Sequence, residues 1–233
     1  MKTINQLYIM MFLFILSTLA LQAGDLRGKI NFSGKPPVPR EIKMSGDRNC
    51  AQMHHGPVYS EDVIVNKNGT LKNVFVYLKE GVKGKYPVPS SPVVLTQEGC
   101  MYHPHVFGMQ VGQPLEIVND DQTLHNIHAL PKNNTPFNVG QPLKGMKTTK
   151  TFDKSEVMVK FKCDVHNWMS AYCGVLDHPF FAVSDENGNF DIKNVPPGTY
   201  TVEAWHEKYG VQDMKVTVTA KGAAVDFVYP SHQ

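Results

Sequence analysis

From Leu26 onward the chain alternates apolar and polar residues in short runs, and Gly, Pro, Asn and Asp break the runs apart. The stretches "LRGKINFSGKPP", "DVIVNKNGTLKNVFVYLKEG" and "GQPLEIVNDDQ" show this period of two, which places successive side chains on opposite faces of a strand. Turn pairs such as Asn68-Gly69 and Asn187-Gly188 fall between the runs, as hairpin connections require. No long stretch carries the 3.6-residue apolar period of an amphipathic helix. The pattern therefore predicts an all-β chain built as a sandwich or barrel.

The N-terminus departs from this pattern. Leu7 to Leu21 is an apolar run broken only by Ser17 and Thr18, preceded by Lys2 and followed by Gln22-Ala23-Gly24-Asp25. It is shorter than the ~20 residues that span a bilayer comfortably, and small residues follow it where a peptidase cuts. Residues 1–23 are thus expected to be a signal peptide, cleaved after Ala23, with an uncleaved anchor as the alternative. Export predicts a periplasmic or secreted protein with no membrane attachment after cleavage. It also puts the four cysteines in an oxidising compartment, where disulfides and bound metals are their ordinary fates. Cleavage removes one lysine and takes the formal net charge from +2 to +1, which gives no electrostatic footprint for a nucleic-acid partner.

With 233 residues the chain has room for one large or two small β domains. The stretch "DENGNFDIKNVPPGTYTVEAW" resembles the carboxypeptidase regulatory-like, transthyretin-like β-sandwich module, with Gly188 turning a hairpin and Pro196-Pro197-Gly198 leading into a strand over Tyr200–Trp205. The opening "GKINFSG" resembles the first strand of that module. The resemblance implies one sandwich split in sequence, residues 24–84 and 179–233, with a second domain inserted at 85–178. Trp205 and His206 then read as core and edge of the sandwich.

Inside the insert, "FKCDVHNWM" sets Cys163, His166 and Met169 at three-residue intervals, and "LEIVNDDQTLHNIHAL" carries the pair His125-Asn126 upstream. A soft thiolate suits Cu(I), imidazoles suit Cu(II), and a weak axial thioether completes the set that lets one ion cycle between both states. The order His-Asn, then Cys-x-x-His-x-x-Met, resembles the cupredoxin (blue copper) domain, with the short Cys-to-Met loop of amicyanin-like members and a plastocyanin-like spacing from Asn119 to His125. The resemblance implies a Greek-key β-barrel or sandwich holding one type-1 copper on His125, Cys163, His166 and Met169. Asn126 is expected to tie the two ligand-bearing segments together. Asp164, beside the thiolate, is expected to favour Cu(II) and keep the potential modest.

Across the whole chain the two textures together are similar to exported bacterial cupredoxin-like proteins, some of the methylamine-utilisation type. This implies one-electron transfer with a redox protein partner, such as a c-type cytochrome or a dehydrogenase. A carrier of this kind is not itself an enzyme, because its copper has no open position for substrate. Two other readings stay open: a protein that stores or delivers Cu(I), and a metal-free structural β module.

Other donors have blander readings. Strand alternation puts His128 on the face opposite His125, so both cannot bind one ion without a bulge. Cys100, His103 and His105 with Cys50, His54 and His55 offer a second donor set, but lack any standard zinc spacing. A disulfide joining Cys50 to Cys100 is the expected alternative, leaving Cys173 unpaired, although spacing alone does not fix connectivity. Trp168 and Pro179 are candidates for an apolar docking patch around His166, with Trp168 packed in the loop core as the other option.

Overall fold

The structure, a computed structural model, describes residues 22–231, so the expected signal peptide lies almost wholly outside the described residues. Among those described, no helix is long and apolar enough to cross a membrane. The chain is all-β. In its first third run β1 (Gly24–Ser33), β2 (Glu41–Ile42), a short helix α1 (Arg48–Gln52), β3 (Val58–Tyr59) and β4 (Phe75–Glu80). The middle holds β5 (Val93–Glu98), β6 (Met101–His103), β7 (Val106–Gln110), β8 (Leu115–Asn119) and β9 (His125–Leu130). It continues through β10 (Phe137–Gln141), β11 (Lys147–Lys150), β12 (Glu156–Lys162) and β13 (Ser170–Leu176). The last third supplies β14 (Phe181–Val183), β15 (Asn189–Val195), β16 (Gly198–His206), β17 (Gly210–Val218), β18 (Ala223–Ala224) and β19 (Phe227–Pro230).

Four sheets pair into two layered cores. One sandwich sets β15-β1-β18, with β19 also on β1, against β14-β4-β16-β17. Its core is Leu26, Ile30, Leu71, Val76, Leu78, Ile192, Val202 and Phe227. Strands from both ends of the chain thus pair with each other, as β1 with β15 and β4 with β16. The other sets β10-β9-β12-β13-β7 against β11-β8-β5-β6, over Leu95, Tyr102, Ile117, Ile127, Phe152 and Phe161. This sheet pair is not closed into a barrel by continuous hydrogen bonding.

Three placements differ from the sequence reading. The strands flanking Gly188 lie in different sheets, β14 on β4 and β15 on β1, so the turn is an arch between layers rather than a hairpin. A tight Asp185–Gly188 turn is still there, with the Gly188 N–H on the Asp185 carbonyl. The stretch 41–60, grouped in sequence with the sandwich, packs on the inserted sheets: its buried Ile42, Met44 and Cys50 join that core. Finally, His206 is only 2% exposed, while its neighbour Trp205 is half-buried and packs on Tyr172 of β13. Core and edge are exchanged because β16 turns Val202, Ala204 and His206 inward with its period of two.

The two units meet through a pair of glycines. Gly108 and Gly174 face each other across β7 and β13. A Cβ on Gly174 would lie 2.3 Å from Phe75, and one on Gly108 would lie 2.4 Å from Phe181. The missing side chains leave room for these two rings, one from β4 and one from β14, to seat against the inserted sheet.

Candidate metal centre

The candidate centre is an extension of the core pattern. Along β12, Val159 and Phe161 point inward and Lys160 and Lys162 outward, and the next inward position is Cys163, 1% exposed. Strand alternation alone therefore delivers the thiol to the interior. The chain then turns: the Cys163 N–H donates to the Met169 carbonyl at 3.3 Å, the Met169 N–H to the His166 carbonyl at 3.0 Å, and the His166 N–H to Cys163 Sγ at 3.3 Å. These bonds fold Cys163, His166 and Met169 into one loop between β12 and β13. His125, the first residue of β9, comes in from the adjacent strand and is fully buried.

The ligand atoms of His125, Cys163 and His166 all lie within 4.8 Å of one another. The two Nδ1 atoms face each other at 3.0 Å, and His166 Nδ1 lies 3.9 Å from Cys163 Sγ. Met169 is 1% exposed at the end of the same loop. Two imidazole nitrogens and a thiol of the sequence-predicted set thus converge, and Met169 is buried in the loop that carries two of them.

Each imidazole is held from behind by a carboxylate. His125 Nε2 lies 2.8 Å from Asp121 Oδ2, and His166 Nε2 lies 2.9 Å from Asp47 Oδ2. Asp121 is 4% exposed and also accepts the N–H groups of Gly99 and Cys100, each at 2.8 Å. Asp47 caps α1, accepting the N–H groups of Asn49 and Cys50. A carboxylate on Nε2 fixes the ring and leaves Nδ1 free to act as donor to an ion.

The protonation balance follows from this packing. Burial pushes the Cys163 thiol up, but hydrogen bonds from His125 and His166 outweigh it and bring the thiol down to about 6. Burial alone lowers both histidines, and the carboxylates and the thiol raise them above their ordinary value. The site therefore favours a thiolate, the form that binds metals.

Asn126 joins the two ligand-bearing segments. Its Oδ1 accepts the Asp164 N–H at 2.7 Å and the Cys163 thiol at 3.2 Å. Its Nδ2 donates to Asn138 Oδ1 at 2.7 Å and Asp164 Oδ2 at 3.0 Å. Asp164 also meets Lys162, His128 and Asn138, and these bonds hold its carboxyl well below the usual range. Its charge is thus shared with cationic and amide partners rather than presented bare to the thiol. His128 lies on this outer face, 3.0 Å from Asp164, away from the convergent nitrogens.

Cys50 and Cys100 form a disulfide. The remaining histidines do not gather around it as a second set facing outward. His54 contacts the Gly99 carbonyl, His103 is exposed, and His105 is buried in a pair with Glu207 at 2.7 Å. Cys173 is free and fully buried, and burial pushes its thiol up.

The surroundings of His166 differ from an exposed ligand edge. The ring is 2% exposed, covered by Asp47, by Cys50 and by Trp168, whose ring centre is 5.1 Å away. The Trp168 indole N–H donates to the Cys100 carbonyl, tying the ligand loop to the disulfide. Pro179 sits elsewhere, with Tyr86 and Phe180. Sequence reasoning did not find Asp47 or the role of Asp121. For Asp121, the i, i+4 spacing to His125 was a usable signal; nothing links Asp47 to a residue 119 positions away.

The chain is similar to cupredoxins. A purple cupredoxin from Nitrosopumilus maritimus is 23% identical over 35% of this chain and 97% of its own, with a TM-score of 0.30. A Cu(I) form of an amicyanin mutant is 18% identical over 38% of this chain and 85% of its own, with a TM-score of 0.33. A copper-containing nitrite reductase from Thermus scotoductus SA-01 is 22% identical over 44% of this chain, with a TM-score of 0.35, and the chain spans only 25% of that protein. Over residues 155–225, less than half of the chain, the sequence matches the family of polysaccharide lyase family 4, domain II. No curated protein matches the sequence.

Proposed function

We propose that this is an exported copper protein that carries single electrons, with His125, Cys163, His166 and Met169 as the ligands of a type-1 copper. The observation that carries the reading is the convergence of two Nδ1 atoms and one acidified thiol in a buried pocket, with both Nε2 atoms occupied by carboxylates. Two imidazoles, a thiolate and a nearby thioether fit copper better than the oxygen-seeking cations. Copper held there supplies a couple between Cu(I) and Cu(II). Asp121 and Asp47 orient the imidazoles, Asn126 fixes Cys163 relative to β9, and the surrounding core excludes water. A rigid donor set of this kind keeps reorganisation on electron exchange small.

The Cys50–Cys100 disulfide supports an oxidising compartment, periplasmic or extracellular. A redox protein partner, a c-type cytochrome or a dehydrogenase, belongs to the same reading, as does kinship with the methylamine-utilisation type. One observation favours a second reading. The 2% exposure of His166 closes the edge through which an imidazole ligand meets a partner, and suits holding or delivering Cu(I) as well as passing electrons.

The test is the visible spectrum of the exported protein after one equivalent of Cu(II). An intense thiolate-to-copper band that vanishes in Cys163→Ser, with folding retained, is the expected result. A colourless wild-type protein sinks the type-1 assignment.

A further inference from the structure

The backs of the two imidazoles open onto a second set of donors. Cys50 Sγ lies 3.4 Å from His166 Nε2. The atoms of Cys50, Cys100 and His166 all lie within 4.8 Å of one another, and so do those of Cys100, Asp121 and His125. Cys50, Cys100 and His125 are fully buried, His166 is 2% exposed and Asp121 4%. Cys50 Sγ therefore stands on the Nε2 side of His166, and Cys100 Sγ lies within 4.8 Å of a ring nitrogen of each histidine. A pair of cysteines beside histidine and carboxylate is a donor set for a soft ion, masked here by the bond between the two sulfurs.

We propose that the Cys50–Cys100 disulfide masks a second metal site, which takes Cu(I) when the disulfide is reduced. Cys50 and Cys100 are its two thiolate ligands, and His166, whose Nε2 stays on Asp47, borders the site without binding the ion. Only the choice of copper rests on the function proposed above; the donors are independent of Cys163. A dithiol supplies the reduction: the S–S bond breaks, the two sulfurs take two electrons and two protons, and the dithiol closes to its own cyclic disulfide. Binding of Cu(I) then releases the two thiol protons to solvent.

The cover over the site is light enough to open. Of the stretch 41–60 only Ile42, Met44 and Cys50 are buried, α1 has five residues, and β2 and β3 have two each. A segment with so few buried apolar contacts opens locally at a free energy below that of global unfolding. Opening of α1 gives the reductant access to the sulfurs and afterwards lets them separate around an ion.

The experiment counts Cu(I) per chain under anaerobic conditions, by competition with a chromophoric Cu(I) chelator. It compares oxidised protein with protein reduced by dithiothreitol and then desalted. Wild type is expected to bind one Cu(I) when oxidised and two when reduced. Cys163→Ser is expected to bind none and then one, and the double variant Cys50→Ser/Cys100→Ser one in either state. Cys163→Ser leaves the disulfide intact, so it remains decisive even if the double variant fails to fold. Reduced Cys163→Ser that binds no Cu(I), or wild type that binds one in both states, overturns the second site and leaves the first standing. Wild type that binds none when oxidised and one when reduced overturns the first site and supports the second.

Discussion

Replacing Asn126 by alanine tests whether one amide holds the candidate centre together before any metal binds. Asn126 is 8% exposed, and the substitution deletes four hydrogen bonds. The Asp164 N–H, at 2.7 Å from Oδ1, loses its partner in a partly buried place, which costs about 1–2 kcal/mol. The Cys163 contact, 3.2 Å from Oδ1, is a hydrogen bond only while the sulfur is protonated and adds at most about 0.5 kcal/mol. The two bonds from Nδ2 end on Asn138 and on a carboxylate that keeps other partners and is part-exposed, so together they add about 1 kcal/mol. The sum, about 2–4 kcal/mol, corresponds to a fall of about 5–15 °C in Tm for a domain of this size. Calorimetry on the copper-free protein reads it directly. Asn126→Asp separates the halves, since its oxygen still accepts from the Asp164 N–H while its second oxygen faces the Asp164 carboxylate. It is expected to lose at least as much as alanine at neutral pH and to recover part of the loss in acid. An alanine variant within about 0.5 kcal/mol of wild type would refute the assignment of Asn126 as the tie between β9 and the ligand loop.

Two further outcomes follow from features away from the ligands. Gly174→Ala drives a methyl to within 2.3 Å of the Phe75 ring, so overpacking of about 1–3 kcal/mol is expected, with part restored by Phe75→Leu in the same chain; calorimetric melting of the single and double variants checks both. His206 is buried with Nδ1 accepting the N–H groups of Lys208 and Tyr209, and burial pushes its pKa from 6.5 down to about 4. Because the folded state prefers the neutral ring, its contribution is present above pH 6.5 and is lost as pH falls from 6.5 towards 4. The loss amounts to about 3 kcal/mol. Urea unfolding of wild type and His206→Gln at pH 7.5 and pH 4 isolates this contribution as the difference between their acid slopes, and equal slopes would count against it.

What could be read from the sequence was what period and spacing encode locally. The alternation that ends at Cys163, the three-residue steps to His166 and Met169, and the opposed faces of His125 and His128 all lie within a strand and its turn. The expectation that Asn126 ties the two segments comes from the His-Asn pair of the family the chain resembles, not from the period. What escaped was set by sheet assignment and by contacts over long separations. Gly188 makes the same tight turn in a hairpin or an arch, and only the partners of β14 and β15 decide between them. His206 reads as an edge residue until β16 is seen to lie between β4 and β17, where its inward positions have nowhere polar to go. Asp47 caps α1, a helix the sequence pattern did not predict, and its second oxygen reaches His166.

The cover made by residues 41–60 explains why the two units of this chain are not merely strung together. A sandwich whose strands come from both ends of the chain fixes β1 and β4, and the connection between them is long enough to leave the sandwich and cross to the inserted sheets. There it places three things on the ligand loop at once: the carboxylate of Asp47 on His166, the sulfur of Cys50 beside the same nitrogen, and buried Ile42 and Met44 on the core beneath. Trp168 closes the circuit through the Cys100 carbonyl. The outer edge of His166 is consequently not a bare imidazole facing solvent but one end of a chain of groups running through the disulfide to α1.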